Sequence, residues 1–127
     1  MNTKIVKNQK VLIVEDELII AKSLARQLKQ LGYEVVGIAA NGEKALEIVE
    51  ASSPDLIFMD VVIAGEMDGI ETAKRIQKIK NISVIYVTAY GDESTLRRIQ
   101  ESGYTEYILK PYQKQENEEA IIMALND

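Results

Sequence analysis

Five short apolar runs punctuate the chain: Val11–Val14, Glu34–Ala39, Leu56–Met59, Ser83–Thr88 and Glu106–Leu109. They are rich in Val, Ile and Tyr and mostly unbroken by polar residues. Continuous runs of this kind predict strands covered on both faces. Between the first two, Ala21, Leu24, Ala25, Leu28 and Leu31 recur at helical spacing and stop at Gly32, whose freedom at positive φ suits a helix terminus. Ala45, Leu46, Ile48 and Val49 form a second stripe, and Asp68 is placed to cap a third helix bearing Ile70, Ala73 and Ile76. Leu96 and Ile99 mark a fourth helix ending at Gly103, and Ala120, Ile121, Ala124 and Leu125 face inward from a fifth.

This strict β-α alternation, with no Pro- or Gly-rich linker and no internal repeat, predicts one α/β domain with a five-stranded parallel sheet and right-handed crossovers. Chain order leaves the strand order open, and five strands of this size most often wind as 2-1-3-4-5. The length of 127 residues and the 46% hydrophobic content suit one core and leave no room for a second domain. We expect the fold to occupy about residues 10–126, with 1–9 as a short N-terminal extension.

Composition narrows the chemistry. The formal charge of −5 comes from 15 basic and 20 acidic residues spread along the chain, which argues against direct nucleic-acid binding. With neither cysteine nor histidine present, disulfides, thiolate sites, zinc clusters and imidazole catalysis are excluded, so any chemistry runs on carboxylates, hydroxyls and amines. Lys4, Lys7 and Lys10 precede an apolar run that stops at Glu15-Asp16-Glu17, too soon for a signal peptide or a spanning helix. A soluble cytoplasmic protein without membrane contact is expected.

In an open parallel sheet, ligands gather outside the carboxyl ends of the strands, near the point where the winding reverses. Strand one ends in Glu15-Asp16, strand three in Asp60, strand four in Thr88-Ala89 and strand five in Lys110-Pro111. In the order 2-1-3-4-5 these strands are neighbours roughly 5 Å apart, so three carboxylates, a hydroxyl and an amine converge. Such carboxylates repel one another and call for a cation, and all-oxygen ligation points to a hard one. Magnesium, which takes one or two carboxylates plus a phosphate oxygen, matches Asp16, Asp60 and an incoming phosphoryl group. Lys110 can pair with Asp60 at rest and with phosphate afterwards, and Thr88 can donate to another phosphate oxygen.

The segments Val11-Leu12-Ile13-Val14-Glu15-Asp16-Glu17, Leu56-Ile57-Phe58-Met59-Asp60, Val87-Thr88-Ala89 and Leu109-Lys110-Pro111 resemble the response-regulator receiver family of two-component signalling, a chemotaxis-regulator-like pattern. The resemblance runs from about Lys10 to the end of the chain. It implies a flavodoxin-like, doubly wound three-layer sandwich in the order 2-1-3-4-5. It also implies a phosphorylation-dependent switch, with Asp60 as phospho-acceptor and a Mg2+ ion held by Asp16 and Asp60, by Glu15 through water and by the backbone carbonyl of Val62. Lys110 and Thr88, assisted by the Ala89 amide, would bind the phosphate. Thr88 and Tyr107 would form the switch, altering an output face built from helix 4, strand 5 and helix 5. The implied partners are a sensor histidine kinase or phosphotransfer protein and a downstream output protein or domain, with a homodimer possible. Catalysis would be limited to the chain's own phosphotransfer and autodephosphorylation.

The chain departs from the family pattern in places. The stretch from Asp60 to Gly69 is one residue longer than the commonest spacing and lacks its usual proline. At the positions two after Asp60 and two after Thr88 stand Val62 and Tyr90, neither suited to help an attacking water, so slow autodephosphorylation is expected. The family's Lys-Pro bond, here Lys110-Pro111, is commonly cis.

Simpler readings exist for each residue alone. Glu15 and Asp16 could serve a helix dipole, Asp60 a turn, Thr88 β-branching and Lys110 solvation. Asp68-Gly69 reads as a helix cap, and Gly42, Gly91 and Gly103 as turn or terminus residues without chemistry. Tyr86, Tyr90, Tyr104, Tyr107 and Tyr112 read as half-buried packing. Two other functions share the architecture: a phosphorylation-independent interaction scaffold, against which the full set of acids, Thr88 and Lys110 argues, and a flavin carrier, whose phosphate Glu15-Asp16-Glu17 would repel.

Overall fold

The computed structural model describes residues 9–89, 91–102, 106–110 and 114–125. The strands are β1 (Lys10–Val14), β2 (Glu34–Ala39), β3 (Leu56–Asp60), β4 (Ser83–Thr88) and β5 (Glu106–Leu109), and the helices are α1 (Leu18–Gln30), α2 (Gly42–Ser52), α3 (Gly69–Ile79), α4 (Glu93–Glu101) and α5 (Lys114–Leu125). All neighbouring strands are parallel, in the order β2-β1-β3-β4-β5. The expected winding is therefore the one adopted, and the acceptor strand β3 lies between β1 and β4. Gly103, Pro111, Tyr90, Tyr104, Tyr112 and the side chain of Leu125, all named from the sequence, lie outside the described residues.

Strand alternation splits the core in two. Leu12, Val14, Ile57, Met59, Val84 and Tyr86 face α2, α3 and α4, where Ala45, Val49, Ile70, Ala73, Ile76 and Ile99 meet them. Val11, Ile13, Leu56, Phe58, Ile85, Val87 and Ile108 face α1 and α5, against Ala21, Leu24, Ala25, Leu28, Ala120, Ile121 and Ala124. At about 1.5–3 kcal/mol for each large aliphatic fully removed from water, the two layers clamp β1, β3 and β4 from both sides. The edge strand departs from the expectation of two covered faces. Positions Val35 to Ile38 of β2 are only half-buried, because no strand among the described residues pairs beyond them, and the ladder to β1 slips by one residue between Val11 and Leu12.

Helix starts follow their sequence signals. Asp68 accepts from the Glu71 backbone N–H at 2.9 Å while the Glu71 carboxylate accepts from the Asp68 N–H at 3.1 Å, a reciprocal capping box. Asn41 caps α2 through the Lys44 N–H at 2.8 Å. Asp92 caps α4 through Thr95 and also accepts from the Ser94 and Thr95 hydroxyls, which together hold its carboxyl down at about 2. After α1, Leu31 serves as C-cap and Gly32 takes φ +98°, as its position predicts. No helix of the described residues is long and apolar enough to cross a membrane.

Candidate functional site

The strand ends bring the acids together as the winding requires. Glu15, Asp16 and Asp60 each offer a carboxylate oxygen within 4.8 Å of the others. Glu15 and Asp60 are buried and Asp16 is exposed. Lys110, immediately after β5, reaches across to donate to Asp60 at 2.8 Å and to Glu15 at 2.9 Å. Its own N–H is fixed by the Thr88 carbonyl at 2.8 Å, which joins the ends of β4 and β5. The resting Lys110–Asp60 pair is thus present. That Glu15 shares the ammonium is a tertiary fact that no local pattern signals.

Glu15 also accepts from the Glu17 N–H at 3.1 Å, so it serves the entrance to α1 in place of a side-chain cap from Glu17 itself. The Asp60 carboxylate accepts from the Val62 N–H at 3.2 Å. Thr88 is fully buried at the end of β4, and Ala89 follows it at the surface. Tyr107 is half-buried on β5, opposite Tyr86, and packs against the core layer that includes Leu96 and Ile99 of α4.

Charge is unevenly shared in this cluster. Burial, relieved only in part by the Lys110 hydrogen bond and reinforced by the facing Glu15, pushes the Asp60 carboxyl up to about 6. Burial also opposes ionisation of Glu15, but its contacts with Lys110, Asp60 and the Glu17 N–H outweigh it and hold that carboxyl below its usual value. Lys110 loses to burial and gains more from its two carboxylates, so its ammonium is held above the ordinary lysine range. Among the described residues, three carboxylates stand against one ammonium. The donor set is all oxygen, so it fits a hard divalent cation.

The loop after Asp60, one residue longer than usual, is tightly braced. Val61 donates to the Val87 carbonyl at 3.2 Å, and Ala64 forms a parallel bridge with Asn41 at the entrance to α2. Gly65 turns at φ +97°, Met67 is buried, and Gly69 donates to the Val61 carbonyl at 2.7 Å.

Two glycines, Gly69 read with Asp68 as a helix cap and Gly42 read as a turn or terminus residue, prove to be close-approach positions. A Cβ on Gly69 would lie 1.9 Å from the Asp60 carbonyl oxygen, and one on Gly42 would lie 2.4 Å from Thr72 Oγ1 and 2.8 Å from Met67 Cε. A sequence signal existed. Each glycine directly follows a capping Asn or Asp, and glycine inside the first helical turn costs about 1 kcal/mol relative to alanine unless packing demands it.

A family model for the response regulator receiver domain matches residues 11–122. The chain belongs to this family. Among curated relatives, sporulation initiation phosphotransferase F of Bacillus subtilis is 40% identical over 115 residues, covering 90% of this chain and 91% of that protein. Transcriptional regulatory protein PdtaR of Mycobacterium tuberculosis is 36% identical over 104 residues, covering 82% of this chain but 50% of its own length. The receiver thus spans about half the length of some relatives and nearly all of others. The signal receiver domain of a modulated diguanylate cyclase from Desulfovibrio desulfuricans G20 superposes with a TM-score of 0.88 at 34% identity, covering 94% of this chain and 95% of that one. The chain carries a receiver domain of the two-component response-regulator type.

Proposed function

We propose that Asp60 is the phospho-acceptor and that the donor is a phosphohistidine on a sensor kinase or phosphotransfer protein. The observation that carries this reading is the ammonium of Lys110 held between Asp60 and Glu15, with Asp16 beside them. Above about pH 6 the Asp60 carboxylate is free to act as nucleophile. One of its oxygens bonds to phosphorus as the P–N bond breaks, and the departing imidazole takes a proton from solvent. Lys110 then passes from the carboxylate to a phosphate oxygen, with the Thr88 hydroxyl and the Ala89 amide as further donors. A bound Mg2+, held by Asp16 and Asp60, by Glu15 through water and by the Val62 carbonyl, would offset the negative charge of the carboxylates and phosphoryl oxygens.

Phosphorylation replaces the single negative charge of the Asp60 carboxylate with a phosphoryl group that carries roughly −1.5 to −2 charge and three acceptor oxygens. Thr88 and Tyr107 transmit the change to the face formed by α4, β5 and α5, where an output protein or domain, or a second receiver, would bind. Val62 next to the site offers nothing to orient a water, which supports a long-lived phosphoryl group, and the site belongs in the cytoplasm with its kinase. The test is the initial rate of phosphorylation by a small acyl phosphate. It should require magnesium and fall at least tenfold in Lys110→Ala. Rates independent of both would refute the assignment.

A further inference from the structure

Asp68 serves two partners with two different oxygens. Oδ1 accepts from the Glu71 N–H and starts α3, while Oδ2 accepts from Arg98 Nη2 of α4 at 2.7 Å. The next residue, Gly69, donates to the Val61 carbonyl, and no room for a Cβ separates it from the Asp60 carbonyl oxygen. A continuous run of contacts therefore leads from a side chain on α4 to the backbone of the acceptor residue. It passes over the top of α3 and involves neither Thr88 nor Tyr107.

The rest of α4 is lightly held. Ile99 is its buried residue and Leu96 packs only in part. At its C-terminal end, the Ser102 hydroxyl lies 3.2 Å from that of Tyr86. Arg97, one position before Arg98, pairs within its own helix with Glu93 at 2.7 Å and so contributes nothing to the link.

We propose that the Arg98–Asp68 ion pair is a latch that holds α4 in its resting place on α3 and, through Gly69, fixes the backbone position of Asp60. Weakening the latch eases phosphorylation. The proposal rests on the reading of Asp60 as the acceptor, and Arg98 acts in it as a positioning residue. Both side chains are partly solvated, so the effect is a few-fold one.

The test uses Asp68→Asn, which keeps an N-cap oxygen while removing the charge, together with Arg98→Gln, the double variant, Arg98→Lys as the conservative replacement and Arg97→Gln as control. Each of the first two should raise the initial phosphorylation rate with magnesium and a small acyl phosphate by about two- to five-fold. The double variant should be no faster than either single one. Arg98→Lys should return most of the parental rate, and Arg97→Gln should match it. Without any donor, Arg98→Gln should shift the amide resonance of Gly69 and speed hydrogen exchange across α4. An unchanged or slower rate in either charge-removing variant, a double variant showing the product of the two effects, or an unmoved Gly69 resonance overturns the latch. Should the parent itself take up no phosphoryl group, the reading of Asp60 fails separately, and the Gly69 resonance and α4 exchange still decide the latch.

Discussion

Helices α3 and α4 pack on the same face of the sheet and follow the two strands that end in Asp60 and Thr88, yet they are held in opposite ways. α3 buries Gly69, Ile70, Thr72, Ala73 and Ile76 and begins in a closed capping box. α4 buries Ile99, half-buries Leu96 and is otherwise polar, with its cap and one ion pair exposed. A fixed helix on one side of the site and a loosely seated one on the other give a local change of charge an obvious direction in which to act. Segments with few buried apolar contacts are the ones that open at low free-energy cost.

The comparison can be broken most severely at Gly69. Gly69→Ala forces a methyl group into the Asp60 carbonyl and should lower stability by about 3 kcal/mol or more in urea denaturation. Gly42→Ala should cost less, because its obstacles are the ends of the Thr72 and Met67 side chains. Next, Ile76→Ala in α3 should cost about 2–5 kcal/mol. Leu96→Ala in α4, which removes a half-buried side chain, should cost under about 1 kcal/mol. Equal losses at the two positions would contradict the assignment of α4 as the loose element.

A third test concerns pH. The folded-state pKa of Asp60, at about 6, lies above the value near 3.9 expected of the unfolded chain. The folded protein therefore binds the extra proton more tightly, and this contribution to stability is full below about pH 4 and lost as pH rises through 6. Asp60→Asn should accordingly raise the melting temperature of metal-free protein by several degrees near pH 7.5 and by little near pH 4. A constant difference across that range would mean that the carboxylate is not strained. The smallest effect belongs to Arg97→Ala, whose exposed i,i+4 pair should be worth no more than about 0.5 kcal/mol.

Sequence and structure agree where the signal is local or topological. The apolar runs from Glu34, Ser83 and Glu106 have the strand boundaries read from them, while β1 begins one residue earlier, at Lys10, and β3 extends one further, to Asp60. The juxtaposition of Glu15, Asp16, Asp60 and Lys110 follows from strand order, because parallel strands put consecutive carboxyl ends on one rim. Three features escaped the sequence because they are decided by contacts between elements distant in the chain. Whether Lys110 serves one acid or two depends on side-chain reach across β1 and β3. The longer loop after Asp60 keeps its shape through the bridge from Ala64 to Asn41, a residue from the other side of β3 in sequence. The partnership of Asp68 with Arg98 spans thirty positions and leaves no periodic trace.

The central claim, that Asp60 carries the phosphoryl group, is tested most directly by incubating the protein with magnesium and a small acyl phosphate and mapping the modification by peptide mass spectrometry. The account predicts one acid-stable, base-labile phosphoryl group on Asp60 and none in Asp60→Ala. An unmodified parent, or a phosphoryl group that persists in Asp60→Ala, would contradict it.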